Sequence, residues 1–184
     1  MPKPTITDVA KILDPMLSDN FVFEIVKIPD EVLSASASSG TLQPAEAFRV
    51  QCRTASKPGS TIEPVPVDLF GHSLQYAGRL TFSHSLSIEY VESKDGYITT
   101  LLEAWQKMCR TVDSQHGQYK SKYAGTGRLS IFDQVGDKPT KIYTLYGIWP
   151  SEVPDMSFDG SGANLITVSC TFTYDYYKPG EEPA

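Results

Sequence analysis

The chain has 184 residues, 40% hydrophobic and 21% charged, with 16 basic against 22 acidic side chains and a formal charge of −6. This is the length of one domain, residues 1–184, able to bury its own core. The acidic balance excludes a nucleic-acid clamp or an anionic-membrane binder, both of which need a basic face, and no apolar run reaches membrane-spanning length. The opening Met1-Pro2-Lys3-Pro4 carries no secretory pattern. Cys52, Cys109 and Cys170, an odd number set among apolar neighbours, read as reduced buried thiols of a protein made in a cytoplasm.

In chain order, residues 1–20 are polar and interrupted by proline, an N-terminal arm. Residues 21–28, FVFEIVKI, form a strand that Pro29 ends. Residues 30–45, with SASASSG inside, are too small and polar to pack and read as a mobile loop. Residues 47–53 resume as a strand with Phe48, Val50 and Cys52 on one face. Residues 54–66 read as a projecting loop, its tip at Lys57-Pro58-Gly59, followed by an extended stretch in which Pro64 and Pro66 cannot donate to a ladder.

Residues 79–90 are the clearest strand. Leu80, Phe82, Leu86, Ile88 and Tyr90 share one face, interrupted by His84, while Thr81, Ser83, Ser85 and Ser87 share the other. Residues 95–112, DGYITTLLEAWQKMCRTV, are the one amphipathic helix. Ile98, Leu101, Leu102, Trp105, Met108, Cys109 and Val112 make its apolar stripe, and Asp95 is placed to cap it. Strands follow at residues 128–133 and 142–149, the latter closed by Pro150. The last strand, 164–177, sets Val168, Cys170, Phe172 and Tyr174 against Thr167, Ser169, Thr171 and Thr173. The plan is a mainly β fold of strands, one helix and strands, the helix covering an open part of the β core.

The outward faces of the two long strands are unusual in carrying mostly short hydroxyls. Such a face suits a water-filled passage or a neighbouring subunit, and equally a solvent face chosen for β propensity. No Walker loop, no GxGxxG after a strand and no HExxH occurs. Cys109 and His116 lack the paired spacing of a metal set, and His72 and His84 read as loop and rim residues. The expectation is no catalytic residue, no metal and no cofactor.

From Pro58 onward the order of features resembles the tail tube proteins of contractile-tailed bacteriophages. The matching pieces are the Pro-Gly tip, RLTFSHSLSIEY, an acidic turn with Asp95, a helix carrying Trp105, then YAGTGRLSIFD and IYTLYGIWPSEVPDMSFDGSGANLITVSCTFTYDYY. The last of these is the most telling, a strand ending in Trp-Pro, a polar loop with Asp159 and a Thr-rich strand. The resemblance implies a two-sheet β barrel or sandwich with the helix at 95–112 packed on its side, and hexameric rings of this chain stacked into a tube, with sheath, baseplate and tube-terminator proteins as partners. Tape measure protein or DNA would occupy the lumen transiently. It implies a virion component assembled in the host cytoplasm, with no enzymatic activity and no membrane partner. Thr81, Ser83, Ser85, Ser87, Thr167, Ser169, Thr171 and Thr173 then become the expected lumen face, and Lys57, Pro58 and Gly59 the expected contact between rings. Leu101, Leu102, Trp105 and Met108 are the expected core of the helix. Baseplate tube initiators and secretion-system tube subunits share the resemblance, and a monomeric ligand-binding β barrel is the alternative from another class.

Overall fold

Period-two burial builds the core of the molecule. The computed structural model describes residues 3, 5, 6, 16–35, 42–136, 138–156, 158, 161, 162 and 164–180. Strand β1 (Phe21–Lys27) buries Phe23 and Ile25, β5 (Ser85–Val91) buries Leu86, Ile88 and Tyr90, and β8 (Thr167–Thr173) buries Val168, Cys170 and Phe172. β6 (Gly125–Phe132) and β7 (Pro139–Glu152) add Leu129, Tyr143, Leu145 and Ile148. The aliphatic and phenylalanine side chains among these each contribute roughly 1.5–3 kcal/mol when taken fully out of water.

The hydrogen-bonded order is β1-β6-β7-β8-β5-β2, where β2 is Cys52–Ala55, and β9 (Tyr176–Pro179) pairs with β7. β7 is shared between two sheets: Tyr143–Tyr146 pair with β6 and β9, while Trp149 to Glu152 pair with β8. The change of direction falls at Gly147, whose φ of +69° suits glycine, and a Cβ there would collide with the Asp175 carboxylate. The path ends on β1 and β2, which do not pair with each other, so the two sheets form an open sandwich rather than a closed barrel.

Helix α3 (Tyr97–Cys109), the third after α1 (Asp30–Ala35) and α2 (Pro44–Val50), lies over this core. Ile98, Leu101, Leu102, Trp105 and Met108 are buried as their spacing predicts. Trp105 packs edge-on against Phe172, and its indole N–H donates to the Tyr123 carbonyl of the short helix α4 (Lys120–Tyr123) at 2.7 Å. Burial of the ring is therefore achieved without stranding its one donor.

Several local expectations change. Residues 30–35 and 44–50, read as mobile loop and strand, are helices α1 and α2, and residues 36–41 lie outside the described ones. Pro44 at the first turn presets a helical φ, and Pro44, Ala47 and Phe48 are buried at helical spacing, whereas Val50 faces water. The helix at 95–112 stops at Cys109, leaving Val112 72% exposed. Asp95 does not cap it. The Glu92 carboxylate accepts from the Ile98 and Thr99 N–H groups at 3.1 and 2.9 Å, and Ser93 Oγ accepts from the Tyr97 N–H. Pro150 does not close its strand either: β7 runs through it to Glu152, with Pro150 opposite Phe172. Most of the N-terminal arm and Asp159 lie outside the described residues.

The largest change is at residues 79–90, which are not one strand. β4 (His72–Phe82) ends before Ser83, and His84 takes a φ of +54° before β5 begins. That turn sends β4 away from the body to pair with β3 (Ser60–Leu69) alone. Leu80 consequently stands 51% exposed on the resulting hairpin instead of in the core. The run at 164–177 is divided as well, at Tyr174 and Asp175, where the chain crosses from β8 to the other sheet as β9.

Candidate assembly surfaces

Opposite the buried rows of β5 and β8 lies a face of short hydroxyls. The antiparallel register sets Ser85 against Thr173, Ser87 against Thr171, Glu89 against Ser169 and Val91 against Thr167. These side chains alternate with Leu86, Ile88, Val168, Cys170 and Phe172, so they point away from the core. Thr171 Oγ1 donates to the Glu152 carboxylate at 3.4 Å, and Glu89 forms an ion pair with Arg53 at 3.8 Å. The face thus carries hydroxyls and carboxylates, its described cation being held by Glu89. Thr81 and Ser83 do not join this row. Thr81 sits on the hairpin, where its hydroxyl donates to the Thr61 carbonyl, and Ser83 shares a 2.7 Å hydrogen bond with the Tyr174 hydroxyl at the hairpin root.

The β3–β4 hairpin is the second surface. It turns at Phe70-Gly71, both at positive φ (51° and 78°), between the paired residues Leu69 and His72. This is the geometry of a two-residue primed turn. Counting back from Leu69 along an antiparallel ladder places Pro66 and Pro64 at positions whose nitrogen faces away from β4. The missing N–H groups therefore cost the hairpin nothing and blunt its outer edge. Val65, Val67, Leu69, Leu74 and Tyr76 share one face, and all but Val67 are about half exposed. Nothing in the chain's described residues covers that apolar face.

Lys57-Pro58-Gly59 is the root of this hairpin rather than its tip. Pro58 is buried, the Gly59 carbonyl accepts from the Ser83 N–H at 3.0 Å, and Lys57 Nζ lies 5.5 Å from the centre of the Tyr143 ring. Ser60 Oγ bonds the Tyr177 hydroxyl at 3.1 Å, and Phe82 packs edge-on against Tyr177. His84 Nδ1 donates to the Tyr174 carbonyl at 2.9 Å. Tyrosines of the β8–β9 crossing thus grip both strands where they leave the body and set the direction in which the hairpin projects.

The three cysteines are held as neutral thiols. Burial pushes the Cys52 thiol up to about 12 and Cys109 up to about 11, and raises Cys170 further, so none is poised as a thiolate. Among the described residues no group of three or more His, Cys, Asp or Glu could hold a metal. Sequence reasoning missed the hairpin, although its signal was present: alternating runs ending at Leu69 and starting at His72, separated by two residues of which the second is glycine.

The comparisons with known proteins agree with this architecture. Residues 16–179 match the family described as phage tail tube protein. Tail tube protein gp19 of Enterobacteria phage T4 is 22% identical over 134 residues, which is 71% of this chain and 81% of that one. The same figures hold for gp19 of Enterobacteria phage T6. The fold matches a chain of the sheath–tube complex of an extracellular contractile injection system with a TM-score of 0.58 at 10% identity, covering 96% of this chain and 98% of the other. A chain of the anti-feeding prophage baseplate matches with a TM-score of 0.61 at 13% identity, over 91% and 97%. With the family model spanning nearly every described residue, and an open two-sheet fold that packs α3 on its core and turns a hydroxyl-lined face outward, this chain belongs to the phage tail tube protein family.

Proposed function

We propose that the chain is the structural subunit of a tail tube, forming hexameric rings that stack around a lumen for genome passage inside a contractile sheath. The observation that carries this reading is the hydroxyl and carboxylate face on the outer side of β5 and β8, in a fold whose two end strands, β1 and β2, each have one edge without a partner strand among the described residues. Unpaired edges are aggregation hazards for a monomer and joining surfaces for a ring, since a sheet continued from subunit to subunit removes them. Ser85, Ser87, Thr167, Ser169, Thr171 and Thr173 line the lumen in this reading. Glu89 and Glu152 add negative charge, which gives passing phosphates little to bind. Thr81 and Ser83 belong instead to the hairpin and its root.

The hairpin, rooted at Lys57, Pro58 and Gly59, makes the contact between rings. Sheath, baseplate and terminator proteins are the outer and end partners, and tape measure protein or DNA fills the lumen in turn. The work is mechanical, with no catalysis and no cofactor, and the site of action is the virion after assembly in the host cytoplasm. One specific observation favours a second reading, a ring that initiates the tube: the fold neighbours include a chain of a baseplate structure as well as one of a sheath–tube complex. Size-exclusion chromatography with negative-stain microscopy tests both. Sixfold rings that extend into long tubes support the tube subunit, rings that never extend support the initiator, and a strictly monomeric particle in a native tail extract would overturn both.

A further inference from the structure

The angle at which the β3–β4 hairpin leaves the body is set at its root. β3 and β4 pair with each other and, among the described residues, with no other strand, and a two-stranded hairpin by itself is marginally stable at best. At about 3.3 Å per residue the ten residues of β3 place the turn roughly 30 Å from the root, so rocking the root by about 10° moves the tip by about 5 Å. That displacement is a whole strand spacing. Whatever holds the root therefore decides where the tip arrives.

Two sets of hydrogen bonds meet there. His84 turns the chain out of β4 at φ 54°, a region that costs a residue with a side chain free energy. The Tyr174 backbone offsets that cost: His84 Nδ1 donates to the Tyr174 carbonyl at 2.9 Å, and the Tyr174 N–H donates to the His84 carbonyl at 3.4 Å. A carbonyl only accepts, so Nδ1 carries the proton. The second set is a loop that one assignment of protons closes. The Gly59 N–H donates to Ser83 Oγ at 3.4 Å, the Ser83 hydroxyl donates to the Tyr174 hydroxyl at 2.7 Å, and the Tyr174 hydroxyl returns to the Gly59 carbonyl at 3.4 Å. Tyr177 adds its bond to Ser60 and its edge-on contact with Phe82. The start of β3, the end of β4 and the β8–β9 crossing are thus tied at one point. Tyr174 is fully buried, so the fixed side of this clamp is the core itself.

We propose that Ser83, His84, Tyr174 and Tyr177 are positioning residues that preset the angle of the hairpin in the free subunit, before any other copy is met. This rests on the tail-tube reading, in which the hairpin joins stacked rings, and it names what governs that step. An arm already aimed loses less freedom on docking than one that docking must order. The hydroxyls are the atoms that separate positioning from packing. Tyr174→Phe and Tyr177→Phe keep both rings in place while releasing Ser83, Gly59 and Ser60 to water.

The test attaches spin labels through p-acetylphenylalanine at Phe70, on the tip, and at Glu103, on the exposed side of α3, and reads their separation in the free subunit by double electron–electron resonance. The full chain with its root unchanged should give one narrow distance distribution. Tyr174→Phe combined with Tyr177→Phe, and separately His84→Gly, should broaden it, and the concentration needed for tube growth should rise about tenfold. Ser83→Ala should broaden the distribution, whereas Ser83→Thr, which keeps the hydroxyl, should leave it narrow. A merely structural role predicts a lower melting temperature with an unchanged distribution, and that result overturns the proposal, as does a broad distribution in the subunit with its root unchanged. Normal tube growth by variants whose distribution has broadened overturns the presetting while leaving the tube reading intact. Failure of the unsubstituted chain to form rings or tubes removes the tube reading and the stacking role with it, whatever the distances show.

Discussion

Trp105 shows how one side chain can be legible from sequence and still gain its meaning from contacts. Its place on the helical stripe predicts burial, and the structure adds an edge-on contact with Phe172 and a hydrogen bond to Tyr123. Trp105→Ala should cost about 3–5 kcal/mol in chemical denaturation, because it leaves a cavity as well as removing transfer energy. Glu103→Ala, on the exposed side of the same helix, should change stability by under about 0.5 kcal/mol, and comparable losses in the two variants would reverse the helix orientation. The thiols make a second prediction at this scale. Burial raises the Cys52 pKa from 9.0 to about 12, so the fold favours the neutral thiol. That contribution is complete below pH 9.0, the unfolded value, and is lost as pH climbs through about 12. Free energies of unfolding measured between pH 8 and 11 should therefore fall at the alkaline end, and a Cys52→Ser variant should flatten the fall.

At the scale of the element, the helix cap and the hairpin both depend on partners distant from where local pattern places them. The N-cap position of α3 is Gly96, which offers no side chain, and Asp95 is near enough in sequence to look like the cap. Glu92 does the work because the turn at Ser93–Gly96 swings its carboxylate back over the first N–H groups and the Thr99 hydroxyl. Replacing a cap that satisfies such donors costs about 1 kcal/mol, so Glu92→Ala should lower the melting temperature measurably while Asp95→Ala should not. A reversed ranking by calorimetry would return the cap to Asp95. The hairpin is the complementary case, a pair of strands whose alternation was visible but whose partner choice was not. Leu80 and Phe82 continue the apolar register of Leu86 and Ile88, and only the left-handed turn at His84 reveals that they belong to another sheet.

For the whole molecule the question is which face meets the lumen. Ser87→Lys or Thr171→Lys should fold and polymerise, since both positions point away from the core, yet genome delivery should drop. Each added ammonium attracts phosphate, and the attraction is summed over every subunit along the tube. Gln106→Lys, on the helix outside the sandwich, should leave delivery unchanged. Infectivity of particles assembled from each variant is the measurement, and equal infectivity of all three would move the hydroxyl face to the exterior.

The sequence by itself determined the elements whose side chains obey one local rule: the strands of the core, the stripe of α3, and the split of β5 and β8 into an apolar row and a hydroxyl row. Period two and period 3.6 are properties of the backbone, so a run of residues records them without help from the rest of the chain. The order of those elements also carried the resemblance to tail tube proteins. Tertiary structure alone decided the pairings. Nothing local distinguishes Thr81 from Ser85 as members of an alternating run; what separates them is that Tyr174 and Tyr177 hold Ser83, Ser60 and Phe82 at a corner, sending β4 outward to β3. It likewise decided that Pro58 is a buried root and Phe70 a free tip, that the helix at 44–50 displaces a plausible strand, and that β1 and β2 end the sheet apart. Each of these is set by residues far apart in the chain competing for the same buried surface, and a choice between distant partners leaves no periodic trace in either one.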